Sequence, residues 1–184
     1  MLKKDENCLN MDYEVNYRNV KYPRLEYKTG NLLLILPQNY ENEATILEKH
    51  KKWIMQKEEL IKQALKEAEK TNLQNRTNDE LEQLVQKTVN SYQHNSELTV
   101  NQVFFRKMKT KWASFSTKGN LTVNTLLKHL PYELIEYVIF HEMTHCLERK
   151  HNQRFWNNIN KKFDDYQKIE KQLLIYWFVI QTFQ

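Results

Sequence analysis

His141, Glu142 and His145 are the residues whose types and spacing could do chemistry together. Two histidines four apart on a helix stand on one face, one turn apart, so both imidazoles can hold one metal ion. Glu142 is turned about 100° from His141 by the helical repeat. That is too far round to chelate beside both imidazoles, yet near enough to take a proton from water that the metal activates. Zinc suits such a site because it lowers the pKa of water, while a carboxylate collects the proton and returns it to a leaving amine. The expected chemistry is zinc-assisted hydrolysis of a peptide bond. A surface helix with incidental histidines is the plainer alternative. Against it, Ile135, Val138, Ile139, Phe140, Met143, Cys146 and Leu147 surround the motif and predict a buried helix. Imidazoles and a carboxylate in a buried helix are costly unless a metal and its water compensate them.

A catalytic zinc usually takes three protein ligands and keeps one position open. His151, six beyond His145, is the leading third ligand. Metzincins use the same interval, with a glycine at its midpoint to turn the chain. Here the midpoint is Glu148, so the helix is expected to end by another route near Arg149-Lys150. Asp165, twenty beyond His145, is a rival at the spacing where thermolysin-like enzymes place a glutamate. His151 is preferred, since neutral imidazole is the commonest metal ligand. His50, His94 and His129 have no partner pattern and read as surface or structural residues.

The elements that must position these groups alternate between strand and helix. Residues 12–36 carry strand patterns, with a turn at Lys28-Thr29-Gly30-Asn31 and a stop at Pro37, and read as a hairpin or small meander. Residues 42–70 read as a long amphipathic helix with Ile46, Trp53, Leu60 and Ala64 at roughly heptad spacing. After a polar loop, a second helix spans about Asp79–Gln93 with Leu81, Leu84, Val85 and Val89 on one stripe and Asn78 or Asp79 as its cap. Alternation from Arg106 to Ser116 predicts a strand with Lys107, Lys109 and Lys111 on one face. A turn at Thr117-Lys118-Gly119-Asn120 returns it as a second hairpin. Pro131 heads the metal-bearing helix, read as Tyr132–Glu148, and helices at about Gln153–Phe163 and Gln167–Ile180 complete the chain. Trp112, Phe155 and Trp156 read as packing residues rather than substrate contacts.

Two stretches carry a family resemblance. The first runs Lys107-Met108-Lys109-Thr110-Lys111-Trp112 and then Ser116 to Asn124, and the second runs Glu136 to His145 and His151 to Trp156. Both resemble the YgjP-like metallopeptidases, related to the SprT and WLM groups of zincin-like peptidases. The strong match covers residues 103–160, with Leu36-Pro37 and Lys52-Trp53-Ile54 similar in kind. The resemblance implies one zinc held by His141, His145 and His151, with Glu142 as general base. It implies an α+β, zincin-like fold: a small antiparallel sheet or hairpins against an active-site helix, with long helices in the N-terminal half and at the C-terminus. The family usually has Gly and Cys where Ala113 and Phe115 stand here, and neither is an expected ligand. In zincins an edge strand beside the metal helix pairs with extended substrate, and Met108 to Ser114 is the candidate.

Composition bounds the remaining choices. The 184 residues fit one domain, 1–184, with 40% hydrophobic and 28% charged residues, ordinary for a globular protein. Two glycines exclude glycine-rich phosphate loops, and Cys8 and Cys146 are too few and too far apart for a disulfide framework. A reducing, cytoplasmic setting follows, with no signal peptide and no membrane partner. The apolar run Leu173–Ile180 is too short to span a bilayer and reads as a buried terminal element, or as an oligomer contact. The motif makes protein or peptide the expected substrate, and the modest net charge of +5, spread along the chain, makes a solvated surface the default. Nucleic acid is open but not favoured. Two other readings stand beside a peptidase: a DNA-associated protease of SprT type, prompted by the lysine face, and a non-catalytic module stabilised by its metal. The oligomeric state is not written in the sequence.

Overall fold

The computed structural model describes residues 2–5, 11–28, 31–40, 42–68 and 70–182. Cys8 and the Thr29-Gly30 turn lie outside the described residues. The chain divides into two compact units, Met1–Glu67 and Ala68–Gln184.

The first unit holds four strands, β1 (Leu2–Asp5), β2 (Met11–Arg18), β3 (Arg24–Lys28) and β4 (Asn31–Pro37), and most of helix α1 (Glu43–Ala68). The strand order is β1-β2-β4-β3. β3 and β4 form the expected hairpin, but β2 pairs with β4 in parallel, so β3 is a crossover and the meander reading is corrected. A central β4 explains the unbroken apolar run from Leu32 to Leu36, all buried. The α1 stripe also differs from expectation. Ala64 is buried as read, but Leu47, Ile54 and Ile61 are buried in place of the expected Ile46, Trp53 and Leu60, and Trp53 is 36% exposed beside Tyr27 with ring centroids 5.7 Å apart. Both sets repeat every seven residues. Leu47 and Ile54 fill the seam with Tyr13, Val15 and Leu34, while the broad indole lies at its rim.

The second unit carries α2 (Asn78–Asn95), β5 (Gln102–Arg106), β6 (Ala113–Phe115), β7 (Asn120–Asn124), a 3₁₀ turn (Thr125–His129), α3 (Tyr132–Thr144), α4 (Gln153–Lys162) and α5 (Tyr166–Thr182). The class is α+β, as expected. α2 starts one residue earlier than the sequence suggests, because Thr77 is the cap. Its hydroxyl accepts from Glu80 N–H while the Glu80 carboxylate accepts from Thr77 N–H, a reciprocal capping box. The sheet order β5-β7-β6 repeats the connectivity of β2, β3 and β4: a parallel pair with the intervening strand antiparallel at one edge. Both sheets are therefore mixed rather than wholly antiparallel.

The strand expected from Arg106 to Ser116 is interrupted. Residues 107–112 leave the sheet and fold around the buried side chain of Asn124. That amide accepts from Met108 N–H (3.2 Å) and donates to Met108 O (2.9 Å) and Lys111 O (2.7 Å). It also accepts from Leu126 N–H (3.2 Å), which caps the 3₁₀ turn. Pairing these backbone groups locally replaces the ladder the alternation implied. The lysine face accordingly does not form, and Lys107, Lys109 and Lys111 stand exposed along a loop. The hairpin turn is as read: Gly119 has φ +74, and an added Cβ would meet Asn101 Nδ2 at 3.0 Å.

The core of this unit gathers α2, β7, α3 and α5. Ile135, Ile139 and Met143 of α3 have no exposure, each contributing about 1.5–3 kcal/mol by burial. Leu147, expected inside, is 51% exposed because the helix has already ended. Leu173, Ile175, Phe178, Val179 and Ile180 of α5 are buried, which fits the terminal run reading as core. Trp112 meets Trp177 of α5 edge to face at 4.8 Å, the packing role expected of it. Among the described residues, no helix is long and apolar enough to cross a membrane.

Candidate metal centre

Pro131 caps α3, where its missing N–H costs nothing, and the helix runs from Tyr132 through its apolar residues to Thr144. It ends a full turn earlier than expected. With no glycine available, the last bonds tighten to the i→i+3 kind: His145 N–H to Glu142 O (3.1 Å), Cys146 N–H to Met143 O (2.9 Å) and Leu147 N–H to Thr144 O (3.0 Å). The chain turns back at 145–147, and Asn152 then caps α4 by accepting from Phe155 N–H at 3.1 Å. This short return brings His151 over His141.

The three histidines converge. Their ligand atoms lie within 4.8 Å of one another, and His141 Nε2 is 3.0 Å from His151 Nε2. Nitrogens bound tetrahedrally at about 2.05 Å would sit about 3.3 Å apart, so the cluster is already near the spacing one zinc requires. His145 Nδ1 lies 3.0 Å from the Glu148 carbonyl, which can only accept. Nδ1 therefore carries the proton, and Nε2 is left for a metal. Burial, then the neighbouring imidazoles His151 and His145, push the His141 pKa down to about 3. The ring is neutral at physiological pH, the form that ligates. His151, more open, is also lowered, by burial first and then by His145.

Phe155 forms the floor of this cluster. It has no exposure, stacks on His145 at 4.8 Å and meets His141 and His151 edge-on at 4.9 and 4.6 Å. Trp156 Nε1 donates to His151 O at 3.1 Å, and its ring stacks on Tyr166 at 4.9 Å. Both residues fix His151, as expected. Asp165 is exposed and outside the cluster, and its backbone carbonyl caps the start of α5. His50 and His94 are exposed, and His129 Nδ1 binds Gln74 O at 3.1 Å, a structural role.

Beside the histidines runs a cleft of about 720 Å³. One wall is Lys111 to Thr117 with Gly119, and the other is Tyr137, Val138, His141, Glu142, His145 and Cys146. Glu142 projects into it. Burial raises its pKa above the ordinary carboxylate value, opposed by His145, by the Phe115 N–H that its carboxylate accepts, and by Lys111. β6 is an edge strand. Asn124 N–H donates to Trp112 O (2.8 Å) and Ser116 N–H donates to Asn120 O (2.9 Å), while Ser114 stands opposite Thr122. Even-numbered residues therefore bond β7, and the peptide groups of Ala113 and Phe115 face the cleft. The candidate strand is narrower than Met108–Ser114 because Asn124 holds the preceding loop out of the sheet.

Several residues here escaped sequence reasoning. Tyr137, one turn before His141, is buried and donates to Glu170 Oε1 at 2.9 Å, tying α3 to α5 at the cleft. Burial and then Glu170 raise the Tyr137 pKa. No local pattern marks Glu170. Asn124 directly before Thr125-Leu126 is a cap signal, readable only once a turn is suspected there.

Three convergent imidazoles could hold a metal ion, and the Glu142 carboxylate of α3 lies in the same cleft. A family model described as YgjP-like, metallopeptidase domain, matches residues 58–175. The chain belongs to the YgjP-like metallopeptidase family and is a metal-dependent peptidase by that membership. Among solved structures it is similar to the zymogen of Pyrococcus abyssi abylysin, with 23% identity over 50% of this chain and 90% of that one, at a TM-score of 0.41. It is also similar to the zymogen of Methanocaldococcus jannaschii jannalysin, with 25% identity over 60% of this chain and all of that one, at a TM-score of 0.40. No curated protein matches the chain.

Proposed function

We propose that the protein is a zinc-dependent endopeptidase acting on extended protein or peptide chains, with His141, His145 and His151 holding one zinc and Glu142 serving as general base. The observation that carries this reading is the convergence of the three imidazoles, within 4.8 Å, beside Glu142 in one open cleft. Zinc in this position would polarise the scissile carbonyl and make water acidic enough to attack at neutral pH. Glu142 takes the proton of the attacking water and hands it to the leaving amine. The outward Ala113 peptide groups and the Phe115 carbonyl offer an edge on which an extended substrate adds as a further strand, the Phe115 N–H being held by Glu142, so that backbone rather than sequence is recognised. Antiparallel addition, the more stable pairing, runs the substrate from the Ser116 end of β6 toward the Trp112 end.

Glu142 lies in the same cleft as the imidazoles, which supports turnover over a metal-stabilised scaffold. The free thiol of Cys146 supports a reducing, cytoplasmic setting. The test is purified protein with metal analysis and an unfolded protein substrate. About one zinc per chain and cleavage are expected, with Glu142→Gln keeping the zinc and losing cleavage. Equal cleavage by that variant, or a chain that takes up no zinc, refutes the proposal.

A further inference from the structure

The two ends of the cleft carry different charge. Toward Trp112, Lys111 and Glu170 place both signs on the lining. At the other end Cys146 Sγ donates to Thr99 O at 2.9 Å, and Asn101 N–H donates to Gly119 O at 2.8 Å. These bonds join the end of the α3 turn to the β6–β7 turn. The lining there is Thr99, Ser116, Thr117, Cys146 and Arg149: hydroxyls, one thiol and one guanidinium. Arg149 makes no ion pair or hydrogen bond with any described residue. Its neighbour Glu148 accepts from Lys150 N–H at 3.4 Å and is not part of the lining. An always-charged, five-donor fork that shares its lining with three hydroxyls, of which Ser116 Oγ also accepts from Asn120 N–H at 3.1 Å, is suited to a carboxylate.

We propose that Arg149, with the Ser116 and Thr117 hydroxyls, forms a subsite for an acidic side chain on the amino-terminal side of the scissile bond; the placement rests on the peptidase reading above. Direction follows from the strand. A chain adding antiparallel to β6 enters at Ser116 and leaves past Trp112, so residues before the scissile bond lie at the Arg149 end. Arg149 is exposed, which limits the effect to that of a solvent-exposed ion pair, about fivefold in kcat/KM for Glu over Gln. The mixed charge of the opposite end gives no such preference there.

The experiment uses the zinc-loaded full chain and quenched fluorescent peptides bearing Glu, Gln or Lys at each of three positions on either side of the cleaved bond. At low salt, Glu is favoured over Gln at an amino-side position, and the preference shrinks as salt rises. Arg149→Gln abolishes the preference, and Arg149→Glu inverts it toward Lys, which a merely structural role would not do. Absence of preference, a preference untouched by either variant, or one on the carboxyl side overturns the proposal. Binding of the same peptides to Glu142→Gln, by fluorescence anisotropy, gives a second readout independent of turnover. If nothing is cleaved, the peptidase reading fails. The subsite still stands if acidic peptides bind more tightly and lose that advantage in the Glu142→Gln, Arg149→Glu double variant, and it falls if they do not.

Discussion

Replacing Asn124 tests whether one buried amide shapes the cleft wall. Asn124→Ala leaves four backbone groups without their partner: Met108 N–H, Met108 O, Lys111 O and Leu126 N–H. Lys111 is exposed, so its carbonyl can turn to water. Losing the cap at Leu126 costs ~1 kcal/mol, and each of the two half-buried Met108 groups costs ~1 kcal/mol unpaired. The expected loss is about 3 kcal/mol, read as a lower urea midpoint at unchanged slope. Trp112 fluorescence reports the loop directly, since its ring sits against Trp177. Asn124→Asp separates hydrogen bonding from packing. It keeps the acceptor and the volume, but its carboxylate faces the oxygens of Met108 and Lys111. The folded-state pKa of the new carboxyl is therefore raised above its unfolded value. Proton uptake favours the folded form, so this variant is weakest at neutral pH and regains stability as pH falls through that raised pKa. A loss under ~1 kcal/mol for Asn124→Ala would refute the reasoning. So would an Asn124→Asp variant whose deficit does not shrink on acidification.

Two further outcomes test the metal centre. Phe155→Ala removes the floor beneath three imidazoles and should cost ~3–5 kcal/mol of stability, with zinc lost more readily to a competing chelator; unchanged zinc retention would show that the ring does not position the ligands. His151→Ala should lose most bound zinc, while Asp165→Ala, altering an exposed carboxylate outside the cluster, should keep it; the reverse pattern by metal analysis rules out the ligand set.

The local half of this site was legible because helix geometry converts spacing directly into position. His141, Glu142 and His145 needed only the 3.6-residue repeat, and His151 needed only a short return that brings it over His141. What stayed hidden depends on partners far away in sequence. The α1 stripe missed by one residue because two interleaved heptads, Ile46-Trp53-Leu60 and Leu47-Ile54-Ile61, score alike on hydrophobicity. Only the sheet opposite decides which set fits its seam. Likewise, alternation through 106–116 describes a strand equally well whether or not backbone partners exist for it. Asn124, from the end of a different strand, supplies those partners at 107–111 and stops the ladder. That stop has a consequence for chemistry: it confines the outward edge to Ala113 and Phe115, and Glu142 already takes the Phe115 N–H. A substrate strand then has few backbone bonds available, and side-chain contacts at the cleft ends must supply more of its affinity. Arg149 at one end matters for this reason.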